Sequence, residues 1–253
     1  MNFIGVAAFI ERETKRMLRV GVQVVFAPWV SALLYILIFG KIVGVRIGDI
    51  AGAPYIDFVV PGLLMMNIMQ AAFGHASSAL YFNRFLGNIH EIITAPFSYL
   101  EIIIGFLISS VIRVLVIGGG VYAIALVFTV TTIEHFWLFL FYVLSTSIIF
   151  ALAGLLVGLW AEHFEHLAIP TTFIITPLTF LGGLFNSIHM LPERLQIFAR
   201  LNPFFYFIDG LRYSMIGVSE SNRVLGIFLI LSLIFSLGSW VLVLFKNGYK
   251  IRN

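Results

Sequence analysis

The sequence predicts an all-α, polytopic membrane protein: six transmembrane helices, an amphipathic N-terminal interfacial helix, and a short re-entrant or surface-lying helical hairpin before the last span. Two observations carry this. The stretches Val22–Gly40, Phe58–Phe82, Ile102–Phe128, Phe136–Ala161, Leu167–Ile188 and Val224–Phe245 are interrupted by a formal charge only at Arg113. The chain as a whole is 60% hydrophobic and 11% charged, with a mean hydropathy of +1.05, whereas soluble domains carry about a quarter charged residues. At ~1.5 Å per helical residue, each stretch is long enough to cross a hydrocarbon layer of ~30 Å. Lipid offers no water to stray amides, so the spanning element must satisfy its backbone internally, which makes it a helix.

The same composition excludes several classes of function. No hydrophilic stretch is long enough for a separate catalytic or sensor domain, so residues 1–253 read as one membrane domain. The absence of cysteine removes disulfides, thiolate metal sites and cysteine nucleophiles. A net charge of +3 spread over loops fits lipid headgroups and not nucleic acid. The early charges Glu11, Arg12 and Glu13, without a cleavage pattern, predict no removable signal peptide.

Ahead of the first span, residues 3–19 form the interfacial helix. Phe3, Val6, Ala7, Ile10, Thr14, Met17 and Leu18 share one arc, opposite Glu11, Arg12, Glu13, Lys15, Arg16 and Arg19. Ile4 and Phe9 fall on the polar side, where they would suit a protein partner. Six spans put both termini on one side. The cations before the first span (Arg12, Lys15, Arg16, Arg19) outnumber those after it (Lys41, Arg46), which places that side in the cytoplasm.

Two connections look like working parts. In the connection Tyr81–Glu101 between the second and third spans, which holds the loop at 83–97, Phe82, Phe85, Leu86, Ile89 and Ile93 recur at helical spacing, and Pro96 ends the pattern. This predicts a short amphipathic helix that is either a docking knob or a solvated connector. Across the membrane, residues 189–223 contain the apolar run Leu195–Ile208, which Arg200, Asn202–Pro203 and Asp209–Gly210 cut into pieces too short to span. Pro170, Pro177 and Gly182–Gly183 predict a kinked or broken fifth span.

Chemistry-bearing residues are few. Arg113 lies too deep to reach the surface easily, so it must face the bundle interior or water, where it meets either an anionic headgroup or backbone carbonyls and hydroxyls. No carboxylate sits within the apolar stretches, which removes the usual support for a proton relay and for ion-coupled transport. His163 and His166, with Glu162 and Glu165, lack the His-Glu-x-x-His spacing of a zinc protease, and Gly74-His75-Ala76-Ser77 lacks the flanking pattern of a serine hydrolase. Gly154-x-x-x-Gly158 and the Gly118–Gly120 run allow close helix approach. No phosphate-binding loop exists, so any ATP must be bound by another chain.

Taken together, the order of parts resembles the membrane subunit of type-2 ABC exporters. The residues carrying the likeness are Leu34-Tyr35, Ile38-Phe39-Gly40, Phe58-Val59-Val60-Pro61-Gly62-Leu63-Leu64, Glu91-Ile92-Ile93-Thr94-Ala95-Pro96, Pro177-Leu178-Thr179-Phe180-Leu181-Gly182-Gly183, Leu191-Pro192, Leu201-Asn202-Pro203 and Gly210-Leu211-Arg212-Tyr213. The chain looks most like small bacterial permeases related to drug and lipo-oligosaccharide exporters. The resemblance implies a non-enzymatic half-transporter in the bacterial cytoplasmic membrane. Two copies would form the pathway, in contact with membrane lipid, and two copies of a separate ATPase would hold the ATP and Mg; this chain itself would carry no cofactor. It further implies that Phe85, Leu86, Ile89, His90, Glu91 and Pro96 dock the ATPase. The pathway would run along the second and fifth spans past Met65, Met66, Met69, Phe73, Arg113, Phe173 and Phe180, for an amphipathic or lipid-linked cargo. The alternative is a secondary transporter or channel independent of ATP.

Overall fold

The computed structural model describes residues 3–19, 21–89, 91, 97–129 and 132–250. Its helices, in chain order, are α1 (Phe3–Arg19), α2 (Val22–Ile47), α3 (Tyr55–Phe85), α4 (Tyr99–Phe128), α5 (Phe136–Trp160), α6 (Phe164–Leu181), α7 (Glu193–Leu201), α8 (Pro203–Ile216) and α9 (Arg223–Lys246). Among the described residues, six helices are long and apolar enough to cross a membrane: α2, α3, α4, α5, α6 and α9. The end of the bundle that carries α1 is called the near end below, and the opposite end the far end.

α3 is the axis. It is buried over most of its length and lies between α4, α5 and α8, with Phe58, Leu63, Met65, Ala72 and Ala76 sealed from solvent. It runs against α5 at backbone distance. A Cβ on Gly154 would come within 2.6 Å of the Phe73 carbonyl, and one on Gly158 within 2.9 Å of the Ser77 carbonyl. The Gly-x-x-x-Gly pair is thus a slot for another helix's backbone.

α2 and α6 are built differently. Both are largely unburied within the chain, and both contain wide π turns, at Val22–Phe26 and Ile36–Val43 in α2 and at Thr171–Ile175 in α6. In α6 the π turn lies between Pro170 and Pro177, where missing amide donors disrupt the regular ladder. The prolines therefore widen this span without breaking it.

The far end holds the helical hairpin. Asn202 separates α7 from α8 and caps α8, its side chain accepting from Phe204 N at 3.0 Å. α8 does not lie on the surface: Phe204 to Arg212 are all buried. Arg212 is fully buried. It donates to the Gly183 carbonyl at 2.5 Å and the Phe58 carbonyl at 3.2 Å, and pairs with Asp209 at 3.7 Å. Asp209 also accepts from Ser219 Oγ and from the amides of Glu220 and Ser221. Glu220 in turn accepts from Ser187 Oγ and Ile188 N, so the chain leaving α6 is fastened to the α8–α9 turn. A two-residue-strand hairpin, Asp49–Ile50 with Ala53–Pro54, joins α2 to α3 through a turn with positive φ at Ala51 and Gly52.

At the near end, α1 lies against α3 and α4 by a face other than the most apolar one. Val6, Phe9, Glu13 and Met17 are buried, while Phe3, Ile4 and Leu18 are exposed. The Phe9 ring sits over Gly105 and meets Phe106 edge-on at 4.9 Å. Its place on the polar arc reflects a partner within the chain itself. Glu13 forms an ion pair with Arg16 at 2.8 Å and accepts from Asn83 at 3.2 Å, and Arg12 donates to Asn83 at 2.6 Å, which latches α1 to the end of α3. Arg84 donates to the carbonyls of Gly158 and Leu159 at the end of α5, and its Nε donates to the Lys250 carbonyl beyond α9.

Candidate functional site

A cavity of about 830 Å³ opens among α1, α2, α3, α4 and α6. Its size is that of a site for a small molecule or a lipid headgroup with part of a chain. α3 contributes a polar stripe, Asn67, Gln70, Gly74, His75 and Ser78, spaced so that all fall on one face of an otherwise apolar span. α1 contributes Arg16, α4 contributes Arg113, and α2 contributes Gln23, Ser31 and Tyr35. α6 supplies Thr176, which accepts from Gln70 at 3.5 Å, and Phe180.

The charge pattern is one-sided. None of the described lining residues is an aspartate or glutamate. Arg16 leans on Glu13 behind the wall; burial pulls its pKa below the usual arginine value, Glu13 pushes it back up, and Arg12 lowers it further. Arg113 has no ion pair or hydrogen bond among the described residues, and its Nε is buried without a partner. The same holds for Nε2 of His75, a residue only 2% exposed. Other polar groups are committed: Asn67 donates to the Leu63 carbonyl and Ser78 to that of Gly74.

Two lining residues, Tyr35 and Phe180, also belong to an aromatic cluster. Phe185 stacks on Phe39 at 4.0 Å and lies 5.5 Å from Phe180 and 6.0 Å from Tyr35. These rings bring α2 together with the end of α6, two spans that face each other across the cavity below.

Of the residues expected to line a pathway, the structure brings Met66, Arg113 and Phe180 together in this cavity. Met65, Met69 and Phe73 point elsewhere, into the helix core, where Met69 Sδ accepts from Thr179 at 3.9 Å. Phe173 is outward and exposed. His75, Gln70 and Arg16 join the site without having been expected there. The signal for the α3 members is the three- and four-residue spacing of 67, 70, 74 and 78; no local pattern ties Arg16 to them.

The expected docking segment is also redistributed. α3 continues through Phe85, and Gly87, at φ +76°, ends it, so Phe82 and Phe85 belong to the span and not to a loop helix. Phe85 and Leu86 are exposed at the near end. Ile89 is helical but buried in a cluster with Leu80, Ile102 and Phe106, which takes it away from any partner-facing surface. Glu91 is helical and exposed, and His90, Ile93 and Pro96 lie outside the described residues.

Comparison with known proteins agrees with this architecture. The family model for ABC-2 type transporters matches residues 5–216. The inner membrane transport permease YadH of Escherichia coli K12 is 36% identical, with 100% of this chain and 99% of the relative covered. Nodulation protein J of Rhizobium leguminosarum bv. viciae is 27% identical over 77% of this chain and 76% of its own length, and that of Rhizobium meliloti 26% identical over 73% and 71%. With six apolar spans around a cation-lined cavity and that match across most of its length, the chain belongs to the ABC-2 type transporter family and is a multi-pass membrane transport permease.

Proposed function

We propose that this permease is half of an ATP-driven exporter in the bacterial inner membrane, with both termini cytoplasmic, and that it carries an amphipathic or lipid-linked cargo. The observation that carries this reading is the cavity itself. Its wall sets the polar side chains Arg16, Gln70, His75 and Arg113 beside the apolar ones Met66, Ile117 and Phe180. A chamber that offers both cationic and apolar walls suits a molecule with a head and a tail.

Two copies would assemble so that α2 and α6, the spans least covered within one chain apart from α9, face the shared pathway or lipid. A separate ATPase, holding ATP and Mg, would dock at the near end on Phe85, Leu86 and Glu91, with His90 and Pro96 in the same connection. Closure of the ATPases would push the α3–α4 connection, and α3 would carry that displacement to the cavity wall. An ion-coupled mechanism finds no support, because the described lining residues include no carboxylate to take up and release a proton.

The test is reconstitution with the transporter's own ATPase. Glu91→Lys and Leu86→Asp variants should lose co-purification of that subunit, and transport of an amphiphile in proteoliposomes should stop without hydrolysable nucleotide. Uptake that survives nucleotide removal and collapses with an ion gradient would instead establish a secondary transporter.

A further inference from the structure

We propose that the cavity binds a phosphate-bearing amphiphile, with the phosphate held between Arg113, Arg16 and His75 and the tail lying toward Met66 and Phe180. The inference deepens the exporter reading by naming a cargo class for the same cavity.

Three observations lead to it. First, Arg113 carries a full charge at membrane depth with no counter-ion or acceptor among the described residues, and its Nε is buried and unpartnered. A half-buried cation at that depth with no counter-ion is costly and is relieved by an incoming anion. Second, His75 lines the same chamber from a different helix, and its Nε2 is buried without a partner. Third, Arg16 enters from α1, and its only carboxylate partner among the described residues, Glu13, stands outside the lining.

The donors thus converge from α1, α3 and α4. A planar carboxylate is served best by one guanidinium fork, whereas a tetrahedral phosphate accepts along several directions at once and pairs strongly with guanidinium groups. The apolar residues beyond the cations supply the surface that a free phosphate would leave uncovered.

The same geometry gives Arg16 a second role. It is shared between the cavity and the Glu13–Asn83 latch, so an anion drawing Arg16 inward competes with Glu13, and headgroup occupancy is read at the end of α3 beside the α3–α4 connection.

The experiment uses the full-length protein purified in an uncharged detergent, without any ATPase. Binding is measured by isothermal titration and by thermal shift for dodecyl phosphate, for dodecyl maltoside as the uncharged tail, and for inorganic phosphate. Dodecyl phosphate should bind and raise the melting temperature, and neither of the other two should match it. Arg113→Gln should weaken dodecyl phosphate binding by at least about tenfold, the scale of one lost charge-assisted hydrogen bond. Arg113→Lys should retain most of the binding, and His75→Gln should lose several-fold.

Equal affinity for the uncharged analogue, or an unchanged affinity in a folded Arg113→Gln protein, would overturn the proposal. Inorganic phosphate binding as tightly as dodecyl phosphate would overturn the amphiphile part. If Arg113→Gln does not fold, the three-ligand comparison on the native protein and the His75→Gln variant decide the matter. Binding that depends on Arg113 while transport proves independent of ATP would sink the exporter reading and leave this one standing; ATP-driven transport with no such binding would do the reverse.

Discussion

Arg212 lies flat on Phe58, its guanidinium carbon 3.7 Å from the ring centroid, while its Nε donates to the carbonyl of that same residue at 3.2 Å. With Gly183 held at the other side of the guanidinium, one buried side chain joins the start of α3, the end of α6 and the middle of α8. Arg212→Ala leaves Asp209 buried without its cation, and removing one member of such a pair costs about 3–5 kcal/mol. The purified variant should melt at a clearly lower temperature, and an Asp209→Asn/Arg212→Ala double variant should recover part of the loss. Arg212→Lys should also destabilise, because an ammonium cannot both stack and fork. A melting curve for Arg212→Ala that overlays the parent would show that the hairpin is held by other means.

Close approach of α3 and α5 sets up a second comparison. Gly154→Val puts methyl groups where the Phe73 carbonyl already stands, and overpacking of this kind costs about 1–3 kcal/mol. Gly74→Ala faces open space and should be neutral in the same melting assay. Equal behaviour of the two variants would contradict the backbone-to-backbone contact.

The interfacial helix offers a third. Phe9→Ala empties a buried site between Gly105 and Phe106, a loss of about 3 kcal/mol for a well-packed ring. Ile4→Ala, at a position 86% exposed, should change stability little. Protease sensitivity of residues 3–19, followed by mass spectrometry, should rise in the first variant only.

A fourth concerns pH. Glu162 accepts from Lys250 Nζ at 2.8 Å, and that hydrogen bond, with the attraction of the lysine charge, holds its carboxyl below the usual 4.5. A depressed carboxyl pKa means that the tether is fully present above 4.5 and is lost as the pH falls through the lowered value. Protection of the amides at residues 246–250, expressed relative to the intrinsic exchange rate at each pH, should therefore be high at neutral pH and fall in acid. Glu162→Gln should abolish that pH response and leave protection low throughout.

The six spans are legible in the sequence because lipid imposes a severe condition on composition, and every expected stretch overlaps an observed helix. Where the reading departs from the structure, a partner invisible to local pattern decides. Phe9 belongs by periodicity to the polar arc of α1, yet it is buried because Gly105 leaves room for its ring. Phe82 to Ile93 keeps helical spacing across Gly87, but periodicity cannot register the left-handed φ there that ends α3. Arg113 stands out in the sequence as the lone intramembrane charge, and the cavity confirms its inward orientation. Its neighbours Arg16 and His75 do not stand out, because their convergence depends on how α1 and α3 cross α4.

Arg84 has a mechanical consequence. A single guanidinium grips carbonyls at the ends of two other spans, so α3, α5 and α9 share one knot at the near end. α2 and α6 are left out of the knot, and their widened turns already stretch the regular helical ladder. Three spans are thus tied together at one end, beside two whose backbone departs from the regular α ladder.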